Sequence, residues 1–264
     1  MSAAGLTAAQ RRRFDERGLV KLEGFIARET AQSMAEHLWQ EMIHLHGIRR
    51  SDRSTWRAER PAQFGSLQKR GAFAAMATPE LHHLLDDLIG RDRWIAPPSW
   101  GLPLVCFPHG QGPWEIPHQS WHLDLTPEPR RAGLMVGRLF VLLAPLAAHG
   151  GGTLVAAGSH RIAAALTERR GVHQTSQQMR KALALEHPWF ADLMSPAKPG
   201  DNRTARFISA GTQVNGVALQ VEELTGEPGD VFLMHPNALH GLTSNAQETP
   251  RLALAQTIYP KGWF

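Results

Sequence analysis

Residues 229–260 read GDVFLMHPNALHGLTSNAQETPRLALAQTIYP. Gly229 and Asp230 signal a turn, and Val231–Met234 is a run of branched and large apolar residues, the mark of a buried strand. His240 begins a second strand segment, residues 244–250 form a turn-rich connection, and Arg251 begins a third strand that runs to Tyr259. Strand side chains alternate faces, so Arg251 shares its face with Ala253 and Ala255, small residues that leave room beside a guanidinium. Pairing of residues 240–243 with 251–259 as a hairpin would project His240 and Arg251 into one interior.

Outward from this stretch the rhythm is the same back to about residue 104. Residues 104–107, 121–125, 134–146 and 153–156 are short apolar runs punctuated by Gly and Pro, and each reads as a strand. Residues 162–193 are helical or irregular and interrupt them. Upstream, Thr7 caps a helix that Gly18 ends, and residues 19–26 read as a strand. A second helix spans residues 28–46, with Met34, Leu38, Met42 and Leu45 on one face. Thr78 and Pro79 open a third helix that Gly90 closes. Early helices followed by many short strands predict an α+β protein, with a β-sandwich or jelly roll and helices packed outside it. We expect one domain over residues 1–264, with a helical scaffold at 1–100 and a strand core at 101–264.

With 264 residues, 42% of them hydrophobic and 20% charged, the chain is an ordinary globular one with material for a core. No uncharged apolar stretch approaches 18 residues, and the N-terminus lacks the apolar run of a secretory signal, so no membrane partner and a cytoplasmic location are expected. The single cysteine, Cys106, forms neither an internal disulfide nor a Cys-rich zinc site, and in an apolar strand it reads as an inert buried thiol. The net charge of +4 is carried mostly by scattered arginines, without the sustained basic stripe of a nucleic-acid binder. A small-molecule substrate is the expected partner.

Fourteen histidines are many for this length, so arrangement matters more than number. In Trp121-His122-Leu123-Asp124 a strand geometry turns His122 and Asp124 to the same face, where an imidazole and a carboxylate can share a metal ion. Alone, the pair fits a hydrogen-bonded structural couple as well. With His240 it makes two histidines and one carboxylate, a facial set that leaves open positions and suits non-haem Fe(II). A nearby Arg251 suits a dicarboxylate co-substrate, because the planar fork binds a carboxylate through two parallel hydrogen bonds.

In this order, WHLD, GGGTLVAAGSH, GDVFLMH and HGLTSN…PRLAL resemble the phytanoyl-CoA dioxygenase-like Fe(II)/2-oxoglutarate oxygenases, over most of the chain. The resemblance implies a double-stranded β-helix, the jelly roll. It implies that His122, Asp124 and His240 hold Fe(II), that Arg251 binds the distal carboxylate of 2-oxoglutarate, and that Leu104 and Phe140 contact this co-substrate. O2 is the other reactant, and succinate and CO2 are products of hydroxylating a small organic substrate. Leu242 stands where family members often carry a serine for the co-substrate, and Ala253 where some carry asparagine. The 116-residue step from Asp124 to His240 is long and implies an insertion near residues 161–207. Retention of Asp124 disfavours halogenation, since related halogenases replace that carboxylate to admit chloride.

His235 is a rival ligand, set aside because His240 has the following glycine and the spacing to Arg251; a structural role is expected for it. The other histidines read as packing or surface groups. Residues 108–120 and the insertion are expected to border the metal, with Trp114, Arg203 and Arg206 meeting substrate and Trp100 a further candidate for the mouth. Two other readings stay open. One is another metal-dependent jelly-roll enzyme, an isomerase or a 2-oxoglutarate-independent dioxygenase; the other is a non-catalytic binding protein on the same fold.

Overall fold

A computed structural model describes residues 5–109, 114–131 and 133–264. Helix α1 (Ala8–Arg17) starts at a reciprocal cap between Thr7 and Gln10 and ends at Gly18, in the left-handed conformation that favours glycine. Strand β1 (Leu19–Leu22) follows, then helices α2 (Arg28–His46), α3 (Gly65–Lys69) and α4 (Pro79–Ile89), the last capped by Thr78. Strands β2 (Leu102–Cys106), β3 (Gly137–Leu142) and β4 (Thr153–Ala157) precede helices α5 (Ser159–Arg170), α6 (Ser176–Glu186) and α7 (Pro188–Leu193). A π-helical turn at Thr204–Ala210 leads to β5 (Thr212–Val214), β6 (Val217–Glu223), β7 (Val231–Met234), β8 (His240–Leu242) and β9 (Arg251–Ile258). Among the described residues no helix is long and apolar enough to cross a membrane.

The strands form two antiparallel sheets, ordered β1-β7-β3-β9-β2 and β5-β6-β4-β8, in a jelly-roll arrangement. Period-two patterning explains why the larger sheet is covered on both faces. Leu139 and Val141 of β3, Val231 and Leu233 of β7, and Leu252 and Leu254 of β9 pack against Met34, Leu38 and Met42 of α2 and against α4. Their alternates, Phe140, Leu142, Phe232, Met234, Ala253 and Ala255, face inward and meet Val155 of β4. On the smaller sheet Leu154, Ala156, Leu219 and Val221 turn outward and are covered by α5, α6 and α7. The predicted insertion is therefore a helical cover with its own core.

Three expectations need correction. The first strand stops at Leu22 because Gly24 turns the chain and donates its amide to the Asp230 carboxylate. Residues 121–125 form no continuous strand: the His122 amide bonds His240 O, the Leu123 amide bonds Ser176 Oγ, and the Leu125 amide bonds Pro236 O. With three separate acceptors, only an isolated bridge between His122 and His240 remains. Nor do β8 and β9 pair. β8 lies against β4 and β9 between β2 and β3, so the 244–250 connection crosses from one sheet to the other. Buried Asn245 fixes that crossing by donating to Cys106 O at 3.0 Å and Thr249 O at 2.8 Å.

His235 and His160 carry a measurable consequence. Their rings lie tilted with centroids 4.7 Å apart beneath α1, His160 Nε2 donates to Asp15 O, and His235 Nδ1 accepts from the Asn237 amide. Burial lowers the His160 pKa to about 4 and the His235 pKa to about 3, the latter further depressed by His160. Both folded values lie below the unfolded value, so the unfolded chain binds more protons as acid is added. The stabilisation is complete above about pH 6.5 and is lost as pH falls toward 3–4, at about 1.4 kcal/mol per pH unit for each ring. Urea midpoints measured at pH 7.5, 6 and 5 should fall in that order; a constant midpoint would mean that these rings are not held neutral.

At the entry to β7, Gly229 has a φ of 92°, and a Cβ there would run into the carbonyl of Ile26. Gly229→Ala should lower stability by more than about 1 kcal/mol, measurable as a shifted denaturation midpoint. An unchanged midpoint would show that the turn relaxes freely.

Candidate metal centre and co-substrate pocket

His240 opens β8, and Gly241 beside it lets the 120–122 segment approach, since a Cβ there would sit 2.7 Å from Ser120 Oγ. Across the isolated bridge stands His122, its ring centroid 4.2 Å from that of His240. Asp124 completes the group: Oδ1 is 3.7 Å from His122 Nε2 and Oδ2 is 3.6 Å from His240 Nε2. One ligand atom from each of the three lies within 4.8 Å of the others.

The backbone sets the chemistry of both rings. His122 Nδ1 is 2.9 Å from Ser120 O and His240 Nδ1 is 3.0 Å from Ala238 O. A carbonyl only accepts, so each Nδ1 carries the hydrogen and each Nε2 presents a lone pair. Burial depresses the His240 pKa to about 4, against the opposing pull of Asp124. The two Nε2 atoms and the Asp124 carboxylate face one another within 4.8 Å, and cis ligands of a first-row ion sit ~3 Å apart. Small side-chain rotations close that difference, so the three residues fit a divalent metal.

Arg251 starts β9 and is buried against the facing sheet. Its Nη1 donates to Gly151 O at 2.8 Å and its Nη2 to Thr153 Oγ1 at 3.2 Å, while its buried Nε has no partner. Among the described residues no carboxylate lies within ion-pair distance of it, and burial lowers its pKa to about 10. A buried cation without a direct ion-pair partner is costly, and the orphaned Nε fits an anionic ligand. Ladder register continues the pocket inward: Leu104 pairs with Ala253, and Phe140 with Ala255. The two alanines are the small members of this inward row, and Phe140, Ala253 and Ala255 belong to one buried apolar cluster with Leu104 packed against it. Leu242 pairs with Thr153, and buried Thr243 donates to Gly152 O.

Other sequence candidates fall elsewhere. His235 lies outside the three-residue group. Trp100 packs against the α2 core and stacks on His82 at 6.2 Å, on the outer side of the larger sheet. Trp114 stacks on His149 at 4.1 Å and packs against the helical cover. Residues 110–113, within the segment expected to border the metal, lie outside the described residues. Arg203 is buried and donates to the carbonyls of Asp192, Leu193 and Ser195, and Arg206 pairs with Asp192. Their guanidinium groups fasten the end of α7. From the same insertion, His173 and Ser176 do line a cleft of about 250 Å³ with Asp124, Arg131 and Trp263. A larger cavity of about 810 Å³ lies against Trp39, Trp56 and Leu143 and contains none of the three metal-site residues. Convergent ligands outweigh size in locating the site.

Cys106 is buried at 1% exposure, and burial raises its pKa, the state of an inert thiol.

A family model, Phytanoyl-CoA dioxygenase (PhyH), matches residues 14–253. The chain belongs to the phytanoyl-CoA dioxygenase family. The match runs from the last turn of α1 through α2 to α4, the helical cover and all three converging residues, and it identifies an oxygenase. No curated protein sequence matches the chain. Among solved structures, HygX from Streptomyces hygroscopicus with nickel and 2-oxoglutarate bound is 17% identical, with a TM-score of 0.57 over 98% of this chain and 88% of its own. EctD from S. alaskensis with 2-oxoglutarate and 5-hydroxyectoine is 18% identical, with a TM-score of 0.56 over 96% of this chain and 76% of its own. SnoK, a non-heme alpha ketoglutarate dependent carbocyclase from nogalamycin biosynthesis, is 15% identical, with a TM-score of 0.55 over 98% of this chain and 86% of its own. At such identities these likenesses concern the fold.

The sequence reading missed Arg138. It starts the inner face of β3, and its Nε lies 2.7 Å from Asp124 Oδ2, a close charge contact without hydrogen-bond alignment. An arginine at the edge of an apolar run reads as a strand boundary; only the register across β9 brings it to the metal site.

Proposed function

We propose that this oxygenase hydroxylates a small organic substrate in the cytoplasm, as one Fe(II)- and 2-oxoglutarate-dependent domain spanning the chain. His122, Asp124 and His240 hold the metal, Arg251 takes the distal carboxylate of 2-oxoglutarate, and Leu104 and Phe140 flank its carbon chain. The carrying observation is the convergence of two Nε2 lone pairs and a carboxylate, with an unpaired buried guanidinium on the same interior. When bound, the iron and 2-oxoglutarate supply oxidation by O2 coupled to decarboxylation to succinate.

The chain's residues supply geometry and exclude water. Ser120 O and Ala238 O each engage Nδ1, so both rings turn Nε2 toward the metal position. Gly151 O and Thr153 Oγ1 hold the Arg251 fork before any ligand arrives, which reduces the ordering cost of binding. Leu104, Phe140 and the alanine pair keep the chamber apolar, where a charged hydrogen bond gains strength. Anaerobic titration of Ni(II), then of 2-oxoglutarate, tests the site; succinate release under O2 tests turnover, and mass spectrometry of the product distinguishes added oxygen from ring closure. Metal binding without 2-oxoglutarate binding would favour an isomerase or 2-oxoglutarate-independent enzyme, and absence of both a binding protein.

A further inference from the structure

The inner face of β9 carries Arg251, Ala253, Ala255 and Thr257 in turn. Arg138 is the cross-strand partner of Thr257 and donates to its hydroxyl at 2.9 Å. Two arginines thus stand at opposite ends of one inward row, and the metal-site carboxylate Asp124 touches the second. Arg138 is anchored rather than loose. Its guanidinium sits 5.1 Å from the Phe140 ring centroid, and its side chain is 15% exposed.

Among the described residues Asp124 is the only carboxylate within ion-pair distance of Arg138. That partner is already claimed, because a divalent ion at the site draws on the same carboxylate. A carboxylate of a bound molecule beside Arg138 would restore a full charged partner to its guanidinium. The other end of the row is taken by Arg251 and the co-substrate, so this anion has to come from the molecule being oxidised.

We infer that Arg138 is a specificity residue that binds a carboxylate of the primary substrate beside the metal, opposite the co-substrate arginine. The inference rests on the 2-oxoglutarate reading above. Its test separates the two. Wild type, Arg138→Gln and Arg138→Lys are first titrated with Ni(II) and 2-oxoglutarate by calorimetry. The Ni(II)·2-oxoglutarate proteins are then screened by thermal shift against small carboxylic acids and their matched primary carboxamides.

We expect wild type to be stabilised by carboxylates and not by their amides. Arg138→Gln should weaken the best carboxylate ~10- to 100-fold, as loss of a charged hydrogen bond does, with Arg138→Lys between them. Both variants should fold, as read by far-ultraviolet dichroism, and bind 2-oxoglutarate without a tenfold loss. A tenfold loss of 2-oxoglutarate affinity in Arg138→Gln would assign the residue to the co-substrate, and a tenfold change in Ni(II) affinity would make it a positioning group for Asp124. Either result overturns the inference, as does a wild-type screen with no preference for carboxylates or no carboxylate hit. Failure of wild type to bind Ni(II) and 2-oxoglutarate refutes the oxygenase site instead.

Discussion

Replacing His122 with alanine is expected to abolish turnover and reduce metal affinity by more than ~100-fold, with the fold intact. His122 is half exposed and its amide, not its ring, carries the bridge to His240, so the substitution removes an Nε2 ligand while the backbone contact persists. Two protein ligands hold a divalent ion far more weakly than three, and even loss of an outer hydrogen-bond partner costs 10- to 100-fold in affinity. Calorimetry with Ni(II) beside far-ultraviolet dichroism reads both properties. Wild-type metal affinity in the variant would remove His122 from the site.

The second large effect is expected at Arg251. Arg251→Lys keeps the charge but loses the planar fork, and 2-oxoglutarate affinity should fall by the equivalent of about 1 to 3 kcal/mol, or roughly 5- to 150-fold. The lysine ammonium is one compact centre and lacks the spread of Nη1, Nη2 and Nε that lets Arg251 hold Gly151 O and Thr153 Oγ1 while facing a ligand carboxylate. Metal affinity should hold, because Arg251 begins a strand of the opposite sheet from His240. Anaerobic titration of 2-oxoglutarate against the Ni(II) protein measures the loss; an unchanged dissociation constant would mean that another group holds the carboxylate.

Much of this architecture is legible in local sequence. The caps at Thr7 and Thr78 and the stops at Gly18 and Gly90 mark their helices, since those residue types satisfy helix ends. The run Val231–Met234 is a strand end to end, buried on both faces. Strand partnership is not local. Residues 240–243 and 251–259 look like a hairpin because a short turn-rich link joins them, and what diverts them is Asn245, whose amide is committed to Cys106 O and Thr249 O. The 121–125 segment misleads in the same way: its apolar pattern is a strand pattern, but its amides bond three distant elements. His122, Asp124 and His240 are recognisable together because chemistry and spacing repeat a family pattern. Arg138 carries no such mark, and Arg203 and Arg206 read as free cations only until their carbonyl and carboxylate partners are placed.

The burial of Cys106 has a practical side. It is the only thiol in the sequence, and it lies 1% exposed between β9 and the Gly151 turn. A cysteine introduced at Leu185, 84% exposed on α6, would therefore be the sole site open to maleimide chemistry. One fluorophore or nitroxide per chain would follow without first deleting the native residue. Since α6 begins at Ser176, whose hydroxyl accepts the Leu123 amide, that probe would sit on the element tied most directly to the backbone between the first two metal-site residues.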